Sequence, residues 1–194
     1  MNDKQAIREA VENWALWRDS GRWEELASLY TPDATVQTTW FAGSAKEFVE
    51  RGREAAKKGG ARGQHFMGAV SVDVAGDRGV AEARVVLLVR AQLQGVEVDV
   101  TCYCRFYDLF LRTGGEWRIR RRYGIYEKDR IDPVDPQAVI KLDPAVLASF
   151  PPAYRHLAYV QSSAGATITP DLPAPGSEAL ERLYAEGRTW LAGR

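Results

Sequence analysis

The residues of this chain best suited to chemistry are one imidazole and one carboxylate. There are only two histidines. His65 sits in GQHFMG, an apolar stretch with the character of a strand, and upstream of it Asp19 closes a tryptophan-rich amphipathic helix in WALWRDSGRWEEL. A carboxylate that orients an imidazole inside a pocket is the minimum equipment for moving a proton on and off carbon. Structural readings stand beside that one. His65 also suits a hydrogen-bonded core position, and Asp19 suits a helix end or a cap for the helix starting at Trp23. His156, in PPAYRHLAYV, reads as a surface helix residue.

Other side chains fall around this pair. Arg90 shares its alternation with Val86, Leu88 and Gln92. It either faces a pocket, where a guanidinium binds a carboxylate or stabilises an enolate, or meets water at a strand end. Trp40, beside Phe41, shapes a pocket mouth or packs a loop. Arg121 is expected on one strand face with Trp117, Ile119 and Tyr123, paired with Asp108. The basic cluster Arg118 to Arg122 reads as a solvated or salt-bridged strand face. Tyr103, Tyr107, Tyr123 and Tyr126 make two strands aromatic, in core or subunit packing. No GxGxxG follows a strand, and neither HExxH nor CxxC occurs, so no metal, nucleotide or flavin cofactor is expected.

The elements that must position these groups are legible in the patterning. Ile7, Val11, Trp14 and Arg18 recur at helical spacing over residues 4–19. A short helix follows from Trp23 to Tyr30, then a strand at 34–40. Ser44-Ala45-Lys46-Glu47 is a capping-box signature for a helix reaching Lys58 and stopping at Gly59-Gly60. Four long strands are expected at 63–75, 78–93, 96–112 and 116–127, joined by tight glycine turns. Helices first and hairpins afterwards indicate an α+β fold, with a curved antiparallel sheet closed by the N-terminal helices into a cone-shaped pocket. Residues 1–130 form that cone domain. Residues 131–194 read as a proline-rich C-terminal extension with short helices at 144–149, 152–161 and 177–191, packed on the domain or on a neighbouring subunit.

Composition narrows the partners. Hydrophobic residues make up 45% of 194, enough for a substantial core. Lysine plus arginine and aspartate plus glutamate both number 26, which argues against a nucleic-acid binder. No apolar run approaches the roughly 20 residues of a membrane helix, and the charged N-terminal segment lacks the apolar core of a signal peptide. Cys102 and Cys104 lie two apart on a strand, badly placed for a disulfide with each other, and are expected as reduced core thiols in a cytoplasmic protein.

Three pieces carry a family resemblance: DSGRWEEL after the first helix, QHFMG opening the long strands, and GGEWRI in the last. Over roughly residues 5–128 the chain resembles the SnoaL-like branch of the nuclear-transport-factor-2-like superfamily, and scytalone dehydratase most closely. The resemblance implies that His65 is the general acid or base and that Asp19 accepts its other ring proton. It implies a cofactor-independent lyase or isomerase acting on a small cyclic or aromatic substrate, with no metal in the site. Non-catalytic ligand binders and structural subunits share the fold and form the alternative. The substrate-recognition shell departs from scytalone dehydratase. Arg18 and Thr38 stand where that enzyme has its two carbonyl-polarising tyrosines, and Arg90 stands in place of its second histidine. Cys104 and Phe106 replace a serine and an asparagine. Trp40, Arg90, Cys104 and Phe106 are therefore expected around a substrate other than scytalone. The resemblance also implies a homo-oligomer, dimer or trimer.

Overall fold

The computed structural model describes residues 2–59 and 62–193. Helix α1 (Asp3–Asp19) is started by Asn2, whose side chain accepts from the Gln5 N–H. It buries Ile7, Val11 and Trp14, one stripe at spacings of four and three, together with Ala10 and Ala15. The short α2 (Trp23–Ser28), strands β1 (Tyr30–Thr38) and β2 (Phe41–Ser44), and α3 (Ala45–Lys57) follow. Ser44 caps α3 by accepting from the Glu47 N–H, as the capping signature implies. Of the two glycines expected to stop that helix, Gly59 adopts a positive φ and Gly60 lies outside the described residues.

Four long strands come next: β3 (Arg62–Ala75), β4 (Arg78–Leu93), β5 (Val96–Thr113) and β6 (Glu116–Pro133). Gln94 and Gly95, at φ 53 and 81, link β4 to β5, with Leu93 opposite Val96. Two left-handed residues in a two-residue loop match the right-handed twist of the flanking strands. The sheet runs β2-β1-β6-β5-β4-β3 and is curved and unclosed. Its pairings are antiparallel except β1 with β6, which are parallel. The long connection between those two strands permits that direction, which a tight hairpin would forbid.

The sequence reading differs here in detail. The strand expected at 34–40 begins earlier, at Tyr30, and folds back through β2, whose four residues are too short to show a period. Strand β6 runs on to Pro133. Its burial switches parity: Trp117 and Ile119 face inward, then Arg122, Gly124 and Tyr126. A register shift places Leu109 opposite Arg121 but Phe110 opposite Ile119, so Arg120 is the extra residue of a bulge. The bulge turns Arg122, not Arg121, toward Asp108. Arg121 meets Glu186 on the outer face instead.

Past β6 come α4 (Pro144–Ala148), α5 (Arg155–Ser163) and α6 (Glu178–Leu191). Tyr154, Leu157, Ala158 and Leu172 join the main core on the inner face of the sheet. Helix α6 covers the outer face, setting Leu180 and Leu183 against Val80, Tyr107, Leu109 and Ile125. Gly187 permits that approach, because a Cβ there would lie 1.9 Å from the Tyr107 hydroxyl and 2.8 Å from its Cζ. Gly187→Ala is expected to lift α6 and cost about 1–3 kcal/mol, as overpacking does. Urea denaturation checks this, and an unchanged midpoint would mean that Tyr107 swings aside freely. Among the described residues no helix is long and apolar enough to cross a membrane.

Candidate active site

The inner face of the sheet, α1, α3 and α5 enclose a cavity of about 890 Å³. Trp14 and Arg18 reach it from α1, Phe48 from α3, His65 from β3, Cys104 and Phe106 from β5, and Val160 and Gln161 from α5. Trp40 lies at the same wall, and its ring sits 5.4 Å from that of Phe48.

Asp19 and His65, far apart in sequence, meet at two points. The backbone N–H of His65 donates to Asp19 Oδ2 over 2.6 Å, and His65 Nδ1 lies 2.7 Å from Asp19 Oδ1. Both side chains are largely buried, at 13% and 19% exposure. An ionised carboxylate only accepts, so the ring proton of a neutral His65 sits on Nδ1 and Nε2 keeps its lone pair. Nε2 makes no hydrogen bond among the described residues, and His65 lines the cavity. Asp19 ends α1, at the negative pole of the helix dipole, where a carboxylate gains nothing from the helix. The two hydrogen bonds from His65 account for its placement better than helix stability does.

An aromatic and cationic frame fixes the imidazole. Its ring meets Trp14 edge-on at 5.2 Å and lies 5.9 Å from Phe106. Trp14 Nε1 donates to the buried Tyr30 hydroxyl over 2.6 Å. The Arg122 guanidinium sits 4.1 Å from the Trp14 ring and 4.4 Å from Phe106, and is held bidentately by Asp108 at 2.6 and 2.7 Å. Both members of this ion pair are buried, and burial raises the Asp108 carboxyl above its usual range even with Arg122 opposing.

The remaining candidates separate by position. Arg90 stands at the cavity mouth with its guanidinium tied to Asp99 at 2.7 and 2.8 Å, half exposed. Cys104 and Phe106 face inward, and both cysteines are free and buried. A hydrogen bond with Cys104, and burial, hold the Cys102 thiol above its ordinary range. Of the four strand tyrosines, Tyr126 lines the cavity, while Tyr107 and Tyr123 pack under α6 and Tyr103 is partly exposed. Burial raises Tyr126, so its hydroxyl stays protonated while accepting from the Thr39 N–H at 3.1 Å. Sequence reasoning missed Gln161, because the C-terminal extension lies outside the stretch that carried the resemblance. Gln161 and Thr38 line the cavity, while Gln161 Oε1 and Thr38 Oγ1 themselves are buried without hydrogen-bond partners among the described residues.

His156 repeats the contact without the cavity. Its Nδ1 lies 2.7 Å from Asp129 Oδ1, and the Leu157 N–H donates to Asp129 Oδ2 over 2.7 Å. The residue expected on the surface is thus partly buried, and Asp129 reaches from β6 to cap the start of α5, which has no cap of its own. His–Asp geometry alone is therefore not diagnostic in this chain. The open cavity at His65 is what separates the two pairs. No cluster of three or more histidine, cysteine, aspartate or glutamate side chains that could hold a metal occurs among the described residues.

Comparison with known proteins gives a consistent picture. Residues 1–123 match the model of the SnoaL-like domain. The chain is 32% identical to pea pathogenicity protein 2 of Fusarium vanettenii over 98% of its own length and 86% of the relative's. It is 31% identical to an uncharacterised protein of Emericella nidulans, over 99% and 87%. A solved structure from Novosphingobium aromaticivorans, provisionally described as a scytalone dehydratase, superposes with a TM-score of 0.57 at 17% identity, over 72% of this chain and 95% of that one. A hexachlorocyclohexane dehydrochlorinase (LinA, type 2) gives the same TM-score at 16% identity, over 73% and 93%. At these identities the two structures speak to the fold.

Proposed function

The chain belongs to the SnoaL-like domain family, and from that premise we propose that it is a cofactor-independent, dehydratase-like lyase or isomerase acting on a small cyclic or aromatic substrate. The observation that carries the reading is His65, held through Nδ1 by Asp19 with Nε2 unengaged among the described residues, at a cavity walled in part by aromatic rings. In the proposed reaction Nε2 takes a proton from carbon beside a carbonyl. The Tyr126 hydroxyl then donates to the oxygen on which charge develops. Departure of the β-hydroxyl as water, protonated by the imidazolium with the proton that Nε2 took, completes a dehydration and restores the base, and return of the proton at another carbon completes an isomerisation.

The test is a screen of cyclic β-hydroxyketones for water loss, followed by ultraviolet absorbance of the enone, with His65→Ala as control. Turnover by the wild type that falls about a hundred- to ten-thousand-fold in the variant is the expected result. Equal rates in both proteins would contradict it. The second reading, a non-catalytic binding module, is favoured by one observation: the His156–Asp129 pair shows the same contact serving only to pin a helix. Ligand binding that survives His65→Ala, with no turnover by either protein, would select that reading. The proposal extends to a homo-oligomer, and to a cytoplasmic location, for which the two free, buried thiols are the support. It also takes residues 131–194 as an extension of a cone domain at 1–130, supported by the wall that α5 adds to the cavity.

A further inference from the structure

Arg18 has no role in the proton transfer described above, yet it is a cation built into the cavity wall. It lies on the buried stripe of α1, following Ile7, Val11 and Trp14, and borders both the 890 Å³ cavity and an adjoining hollow of about 800 Å³. Its guanidinium sits 5.2 Å from the Trp23 ring and 5.9 Å from Phe48. Gly52 leaves space for it, since a Cβ there would stand 3.4 Å from Arg18 Cζ and 3.2 Å from the Trp23 ring.

The other buried arginines of the sheet are answered by carboxylates. Arg122 has Asp108, and Arg105 has Glu82 and Glu127. Arg18 has no carboxylate within ion-pairing distance among the described residues, only aromatic faces. Asp19 supports its charge through space, but both Asp19 oxygens already accept hydrogen bonds from His65. Burial lowers Arg18 from its usual range, although a guanidinium remains charged at any physiological pH. Its side chain borders both hollows and makes no hydrogen bond among the described residues. A guanidinium held by stacking, desolvated and lacking an anion is half of a bidentate ion pair.

We infer that the substrate carries a carboxylate, received by the Arg18 guanidinium while its ring lies against Trp14, Phe48 and Phe106. The cation expected from sequence to do this, Arg90, is committed to Asp99 at the mouth. The inference rests on the proposed function only in calling the ligand a substrate, and its test reads binding alone.

That test is calorimetric titration of the whole protein with 2-naphthoate and benzoate, each against its neutral amide. The carboxylates should bind at least about tenfold more tightly than the amides, as a charge-assisted pair implies. Arg18→Gln should erase the difference, and Arg18→Lys should weaken carboxylate binding while leaving amide binding unchanged, because the fork is lost. His65→Ala should keep the carboxylate preference whatever becomes of turnover. Equal turnover in His65→Ala and the wild type with the preference intact would be failure of the proton-transfer reading alone, distinct from failure of this one. Amides binding as tightly as carboxylates would overturn the inference, as would no binding of either at millimolar concentration. Persistence of the preference in a folded Arg18→Gln protein, or unchanged carboxylate affinity in Arg18→Lys should Arg18→Gln fail to fold, would do the same.

Discussion

Asp19→Asn is expected to lower kcat by about 10²–10⁴-fold while leaving KM nearly unchanged. The carboxylate accepts from the His65 backbone N–H and faces Nδ1 at 2.7 Å. A carboxamide preserves size and keeps one acceptor oxygen for the backbone N–H. Its NH₂ then turns toward Nδ1 and donates, which moves the ring proton to Nε2 and removes the lone pair from the cavity. The fold should be retained, because the backbone hydrogen bond survives, and far-UV circular dichroism checks that. Steady-state kinetics on a substrate from the hydroxyketone screen give the rate. An unchanged kcat would mean that Asp19 only anchors β3 to the end of α1.

Asp108→Ala is the largest expected effect on stability, about 3–5 kcal/mol. It strands the Arg122 guanidinium, whose side chain is fully buried and whose Nη1 already lacks a partner. Because Arg122 stacks on Trp14 and Phe106, the two rings that flank His65, the damage should reach the site. Urea denaturation measures the first part and calorimetric titration with 2-naphthoate the second. The double variant Asp108→Leu/Arg122→Met removes both charges and should recover most of the stability, since replacing a whole buried pair with apolar groups is often neutral. A single variant as stable as the wild type would show that water reaches Arg122.

Much of this was readable in the chain. Helical spacing from Ile7 to Trp14, the Ser44 cap and the glycine turns gave α1, α3 and the hairpins, because each is a local signal. The Asp19–His65 encounter spans 46 residues, and it was reached through the resemblance, not through any periodicity. Where the reading failed, a non-local cause was at work. The bulge at Arg120 is created by pairing with β5, so the alternation along β6 pointed to Arg121 where the fold uses Arg122. His156 looked like a surface residue because its partner, Asp129, comes from another element. Gln161 lay in a tail whose docking onto the cavity no local pattern reveals. Arg18 was visible as an arginine on a buried helical stripe. That signal is strong in retrospect, because an unpaired cation on an apolar face calls for a partner.

The most direct test of the account is the long-range ¹H–¹⁵N spectrum of the imidazoles, with His65 assigned by its disappearance in His65→Ala. The account predicts that neutral His65 carries its proton on Nδ1, toward Asp19, and leaves Nε2 as the base. A ring protonated on Nε2 would contradict it, because no lone pair would then face the substrate.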